Sequence, residues 1–249
     1  MRVFLVACLS GLCVPASFAA SAPKVDVRVP FVGCTSDGQI GPLKAPIGKS
    51  KIVPIAAETA GRLAYYKAED GSGVLAPRGW YCFGTYGSDG TNLYVSADPI
   101  RGDDVLFAEK WKGFNGPVVQ LSFSDGDTSG RFSVARMIAR VFPAHRAFVN
   151  KVIAEGIEPA TEFPASPYPT DKLTYRSKEL VEFETPPKTE GMGTQSRLLK
   201  NGDPIRGMTM LVGEVPDLVY LAARLPAEMD ELVPVIVQQA ERDGAQVSQ

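Results

Sequence analysis

The sequence holds one histidine, His145, in 249 residues. A zinc centre needs three or four Cys, His or carboxylate ligands, and a single imidazole beside a few cysteines is a poor set for it. Any Ser–His–Asp mechanism must use that same ring as its base. No Gly-x-Ser-x-Gly elbow is there to offer a serine nucleophile. Neither a phosphate-cradling Gly-x-x-x-x-Gly-Lys loop nor a dinucleotide fingerprint occurs, so no cofactor is expected. Lysine and arginine are not clustered and the formal net charge is −2. That balance argues against nucleic acid or an anionic membrane as partner. Beyond the N-terminus no apolar run approaches the roughly 20 residues of a membrane-spanning helix. With 45% hydrophobic and 22% charged residues, the chain is not short of core material, which argues against disorder.

The N-terminus has its own pattern. Arg2 gives a short positive region, Val3 to Val14 are apolar, Pro15 breaks the run, and Ser17 and Ala19 are small. This is the layout of a signal peptide over residues 1–19, cleaved before Ala20. The rivals are an uncleaved anchor and lipidation at Cys8, before which too few residues stand for a full apolar stretch. Cleavage leaves residues 20–249 as one α+β domain, with a possible subdivision at the Pro-rich loop 158–170.

Cysteine is scarce. Cys8 and Cys13 fall in the leader, leaving Cys34 and Cys82. An even pair in an exported chain is expected to form a disulfide. The alternative is a nucleophilic thiol at Cys82 with His145 as base.

Periodicity supplies the elements. Lys24 to Val32 alternates with period two and predicts a strand, with Pro30 at an edge or bulge. Ser36-Asp37-Gly38 reads as a turn, Lys51 to Ile55 as a short strand, and Ala56 to Lys67 as a helix. Gly79 to Tyr86 and Thr91 to Ser96 flank Gly87-Ser88-Asp89-Gly90 and predict a hairpin, with Trp80, Cys82 and Gly84 on its inward face. Val118 to Ser124 is another strand. Phe132, Ala135, Ile138, Ala139 and Phe142 recur at helical spacing. Pro143 then breaks the pattern and Ala144 to Glu155 forms a second helix. Leu173 to Glu184, Pro204 to Val212 and Leu218 to Leu225 are β-prone. Pro226 opens a terminal helix over Ala227 to Arg242, with a kink expected at Pro234. Strands and helices do not alternate, so the class is α+β: a mainly antiparallel sheet, a helical pair in the middle and a C-terminal helix.

Several residues are candidates for chemistry. His145 with a serine, Ser196 after the Gly-rich Gly193-Thr194-Gln195, would make a hydrolase, with Glu190 and Arg197 as supporting groups. A glycosidase would need two of the carboxylates Asp103, Asp104, Glu109, Glu182, Glu184 and Glu190 across a cleft. Asp125, Asp127 and Ser129 resemble the first half of a calcium loop, but Arg136 stands where the bidentate carboxylate belongs, and the plainer reading is a polar turn. No complete metal site is expected. Trp80, Tyr81, Phe83, Tyr86, Tyr94, Trp111 and Phe114 either line a ligand surface or belong to the core.

At Gly73-Val-Leu-Ala-Pro-Arg-Gly-Trp-Tyr-Cys-Phe-Gly84 and at Glu190-Gly-Met-Gly-Thr-Gln-Ser-Arg-Leu198 the chain resembles a group of uncharacterised secreted bacterial proteins, from about Pro30 to Arg242. The resemblance implies a bacterial, exported product, periplasmic or secreted. It carries over no activity and no functional residue. The expected role is a non-catalytic binding or accessory module of the envelope, with an unidentified ligand or envelope partner. The alternative is a secreted or periplasmic hydrolase using carboxylates or His145 with a serine.

Overall fold

The computed structural model describes residues 24–106, 109 and 111–247. The expected signal peptide lies outside them. The fold is α+β, with two mostly antiparallel sheets and a C-terminal helix.

The smaller sheet is built from β1 (Val25–Gly33), β3 (Ser50–Ile55), β4 (Leu63–Lys67) and β5 (Val74–Pro77), in the order β3-β1-β4-β5. Pro30 sits where β1 changes partner. Residues up to Pro30 pair with β3, and from Phe31 onward the strand runs parallel to β4. Proline has no N–H to give to a ladder, so the hand-over falls where one bond is missing in any case.

The larger sheet takes in β2 (Thr35–Gly38), β6 (Tyr81–Gly87), β7 (Gly90–Ser96), β8 (Val118–Ser124), β9 (Lys172–Tyr175), β10 (Leu180–Thr185), β11 (Ile205–Val212) and β12 (Asp217–Arg224). Its order is β2-β6-β7-β8-β12-β11-β10-β9. The predicted hairpin is β6–β7, turning at Ser88 and Asp89.

One face of this sheet packs on the smaller sheet and on α5 (Val233–Val247). Leu93, Val95, Val119, Leu121, Met208, Val219 and Leu221 meet Val53, Leu63, Leu75, Ile236 and Val237 there. Trp80 and Cys82 pack against this core, as the inward face of the hairpin predicts. Cys34 and Cys82 are disulfide-bonded, with Cα atoms 5.4 Å apart. The bridge ties the link between β1 and β2 to β6, so it staples the two sheets together. Asp243 of α5 adds a polar pin. Its carboxylate accepts from the Tyr65 hydroxyl at 2.9 Å and from Gln239 at 2.8 Å, and Lys51 stands 3.4 Å away.

The opposite face carries the helical pair α3 (Arg131–Val141) and α4 (Arg146–Ala154), broken at Pro143–His145 as the sequence predicts. They pack on its β10–β12 half and reach Val118 of β8; Val181, Phe183, Leu211, Leu218, Tyr220 and Ala222 meet Val134, Ile138, Phe142 and Val149 there. The loop 158–170 packs against α3: Phe163 is buried, and Glu158 pairs with Arg136 at 2.6 Å.

Three local expectations are corrected. Within Ala56–Lys67 only Ala57–Ala60 (α1) is helical, and Leu63–Lys67 is β4. Leu63, Ala64, Tyr65 and Tyr66 are all buried. A strand covered on both faces shows no alternation, so it passes for a helix. Ser36–Gly38 is no simple turn but part of β2, parallel to β6. Pro234 does not kink a helix interior. Ala227–Leu232 is 3-10 helix, and Pro234 stands in the first turn of α5, where its missing N–H leaves nothing unpaired.

Candidate functional site

On its second face the β6–β8 half of the large sheet is met at one edge by the short helix Gly102–Leu106, which lies on Phe83 of β6, and at the other by α3. Its strands keep strict alternation there. Leu93, Val95, Val119 and Leu121 go to the core, and the other phase presents Thr85, Asn92, Tyr94, Gln120 and Ser122. Register places these opposite one another: Thr85 against Asn92, Asn92 against Ser122, Tyr94 against Gln120. They form the floor of a cleft of about 610 Å³, walled by Val105 and Leu106 of α2 (Gly102–Leu106), by Ser133, Arg136, Met137 and Arg140 of α3, and by Gln195, Ser196 and Arg197.

Hydrogen bonds run across the floor in one direction. The backbone N–H of Arg197 donates to Gln120 Oε1 at 2.8 Å. Gln120 Nε2 donates to Ser122 Oγ at 2.9 Å, Ser122 Oγ to Asn92 Oδ1 at 2.7 Å, and Asn92 Nδ2 to Thr85 Oγ1 at 3.2 Å. Tyr94 completes the row, and burial pushes its phenol above its usual range, against the influence of Thr85 and Arg197 beside it. Each of these side chains is thereby tied to its neighbour. A preformed polar surface of this kind binds without a large ordering cost.

Two local devices place the walls. Asp125 to Gly130 brings the chain to the start of α3 against the β6–β7 turn. Asp125 N–H donates to Asp89 O at 3.2 Å, and the Ser88 and Ser129 hydroxyls meet at 3.1 Å. A Cβ on Gly130 would lie 2.6 Å from Asp125 O, so only glycine allows this approach. At the other end the segment Glu190–Leu198 is hung on a buried polar knot. Asp171 accepts from Met192 N–H at 2.6 Å and from the Thr185 hydroxyl at 2.8 Å, and Thr185 Oγ1 accepts from Gly193 N–H at 2.8 Å. Burial raises the Asp171 carboxyl above its ordinary range, partly offset by those donors.

Gln120 joins floor to wall and is itself buried. Gln120→Leu keeps the volume but removes two hydrogen bonds, leaving the Arg197 N–H without its acceptor and Ser122 Oγ with its bond to Asn92 Oδ1 alone. Hydrogen bonds of this kind contribute about 0.5–1.5 kcal/mol each, so about 1–3 kcal/mol in all. A shift of that size in the urea midpoint, at unchanged slope, is the expected result.

The residues singled out in the sequence are dispersed. Ser196 and Arg197 line the cleft. The Ser196 hydroxyl donates to Gly193 O at 2.6 Å and accepts from Leu198 N–H at 3.1 Å, so it braces its own turn. Glu190 points instead to Lys200, 2.6 Å away, and that pairing holds its carboxyl below its usual range. His145 is at the start of α4, its Nε2 3.6 Å from Glu179 and without a hydrogen bond. It is not among the residues lining the cleft. Glu182 and Glu184 are engaged in ion pairs with Arg176, Lys172 and Arg206, and Asp103 and Asp104 lie in α2. Among the described residues lining the cleft, Asp89 supplies the one carboxylate. The carboxylate of Asp125 accepts from the backbone N–H of Asp127 at 2.8 Å, and among the described residues no group of three His, Cys, Asp or Glu is placed to hold a metal ion.

Of the aromatics, Tyr86 and Tyr94 reach the cleft. Phe114 lies 5.5 Å from Tyr94 and 5.1 Å from Trp111, ring centre to ring centre. Trp80 packs against the core between the sheets, Phe83 is buried on the cleft side of β6 beneath Gly102, and Tyr81 is exposed. Sequence reasoning passed over Thr85, Asn92, Gln120, Ser122, Arg136 and Arg140, although the polar phase of residues 91–96 and 118–124 is a visible signal.

No helix among the described residues is long and apolar enough to cross a membrane. Compared with protein-family models, curated proteins and solved structures, the chain has no match.

Proposed function

We propose that this chain is an exported, non-catalytic binding or accessory module of the bacterial envelope, and that its ligand occupies the cleft between α3 and the polar half of the large sheet. One observation carries the reading: a concave floor of hydrogen-bonded, uncharged polar side chains, fixed by its own network and walled, not filled, by the helices. An antiparallel sheet routinely turns one polar face to water. Here that face is overhung by α3, which converts it into a recess of a size suited to small molecules. Export is supported by the leader pattern of residues 1–19 and by the Cys34–Cys82 bridge, a bond that persists in oxidising compartments.

A hydrolase would need a base against a nucleophile. Among the serines that line the cleft, Ser196 has its hydroxyl committed to its own backbone and Ser122 donates to Asn92, and the imidazole of His145 is not among the lining groups. The reading predicts that small polar probes perturb the backbone amides of the cleft floor before any others, measured by two-dimensional NMR. Perturbation confined to the rest of the surface contradicts it.

A further inference from the structure

We infer that the cleft takes a small polyhydroxylated molecule bearing a carboxylate or phosphate, gripped by Arg140 and Arg197; this rests on the cleft being the ligand site. Arg136, Arg140 and Arg197 line it against the single carboxylate of Asp89. Arg136 is already neutralised, with Glu158 oxygens 2.6 and 2.7 Å from its guanidinium. Arg140 and Arg197 form no such pair: among the described residues neither has a carboxylate within 4.0 Å, and the charge of Asp171, which acts on Arg140, lies outside the cleft lining. The chain as a whole is net negative, yet this recess is locally positive. A charged, partly enclosed cleft focuses its field on a counter-ion of the opposite sign.

The two guanidiniums are steadied without a direct ion pair among the described residues. The Arg140 guanidinium carbon lies 4.0 Å from the Tyr168 ring centre, and one N–H donates to Ser166 O at 3.1 Å. Arg197 lies 5.9 Å from the ring of Trp111, while its backbone N–H is fixed by Gln120. The ring against Arg140 leaves the N–H donors that do not bind Ser166 available, and Arg197, with its backbone fixed and its ring contact distant, keeps its own. Such donors match the paired oxygens of a carboxylate or phosphate. Between the arginines the floor offers hydroxyls and amides, which serve as donors and acceptors for sugar-like hydroxyl groups but supply no countercharge. The anion of the ligand therefore completes a charge balance that the cleft lacks.

The test is calorimetric titration of the protein with glucose, glucuronate and glucose 6-phosphate at low salt, repeated at raised salt and with Arg140→Gln and Arg197→Gln. The expected result is that one or both charged probes bind at least tenfold tighter than glucose. Their affinity should fall with added salt, and each substitution should weaken it at least tenfold. Preference between the two charged probes identifies the anion as carboxylate or phosphate. Should either glutamine variant misfold, the salt dependence of the unaltered protein and the Arg→Lys variants, which keep charge but lose the paired geometry, decide the matter. Glucose binding as tightly as both charged probes, with floor amides shifting and no salt dependence, overturns the inference while the cleft remains the ligand site. Absence of binding by all three probes, with no floor amide perturbed, overturns the inference and counts against the cleft as well.

Discussion

Arg224→Met is expected to lower stability by about 3 kcal/mol, a large effect for one substitution away from any ligand. Arg224 is almost wholly buried, and its guanidinium donates to the backbone oxygens of Phe114 (3.3 Å), Asn115 (3.0 Å) and Gly116 (3.2 Å) and to Leu199 O. Burial pushes its pKa below the ordinary arginine value, and the charge of Asp203 acts in the opposite direction. Two loops converge on this side chain. Phe114 N–H also donates to Arg197 O at 2.7 Å, and Leu199 N–H to Phe114 O at 2.9 Å. The guanidinium thus fastens the pair of segments that carry Trp111, Phe114 and Arg197. Methionine fills the volume and removes the cost of a buried charge, but it leaves carbonyls without their donor, and that relief offsets only part of the loss. Arg224→Lys should recover part of the stability, since an ammonium reaches fewer carbonyls than a planar fork. Urea unfolding measures both. A change under about 1 kcal/mol for the methionine variant would show that the loops hold without it.

Removing the disulfide, as Cys34→Ala with Cys82→Ala, is expected to cost about 4 kcal/mol in the chain-entropy description for a loop closed across 48 residues. The bridge joins β6 of the large sheet to the strand that leads out of the small one, so its loss loosens the contact between the sheets before it disturbs α3. Hydrogen exchange should accordingly rise first in β1, β3 and β4. Native-like stability in the double variant, or in protein kept fully reduced, would show that the apolar core between the sheets is sufficient alone.

Much of the fold is legible in the sequence because its elements announce themselves locally. The β6–β7 hairpin follows from Gly87 to Gly90 between β-prone runs, α3 from the spacing of Phe132, Ala135, Ile138 and Ala139, and the break at Pro143 from a missing N–H. What fails is local reasoning about segments whose surroundings are buried all round. Leu63–Lys67 looks helical because both of its faces are covered, and β2 looks like a turn because its pairing with β6 is long-range.

The cleft is half legible. The polar phase Asn92, Gln120 and Ser122 is written in the strands, but a polar phase normally means solvent. Only α3 lying above it makes it a recess, and where α3 lies is set by its leading turn seating on the β6–β7 turn, through Ser88 and Ser129, 41 positions apart. Arg136 and Arg140 likewise read as an ordinary solvated helix face until the sheet opposite them is known. Ser196 and Arg197 stand out beside a Gly-rich turn and do reach the cleft, whereas Glu190 and His145, grouped with them as candidates, are drawn off by Lys200 and Glu179.

The central claim is that the polar floor is a ligand-binding surface. Its most direct test is amide chemical-shift mapping of the protein with a panel of monosaccharides, uronates, sugar phosphates and amino acids. The prediction is saturable movement of the amides of Thr85, Asn92, Gln120, Ser122 and Arg197 with at least one probe, at concentrations that leave β3 and α5 undisturbed. Saturable shifts that appear on β3 or α5 while the floor stays still would contradict it.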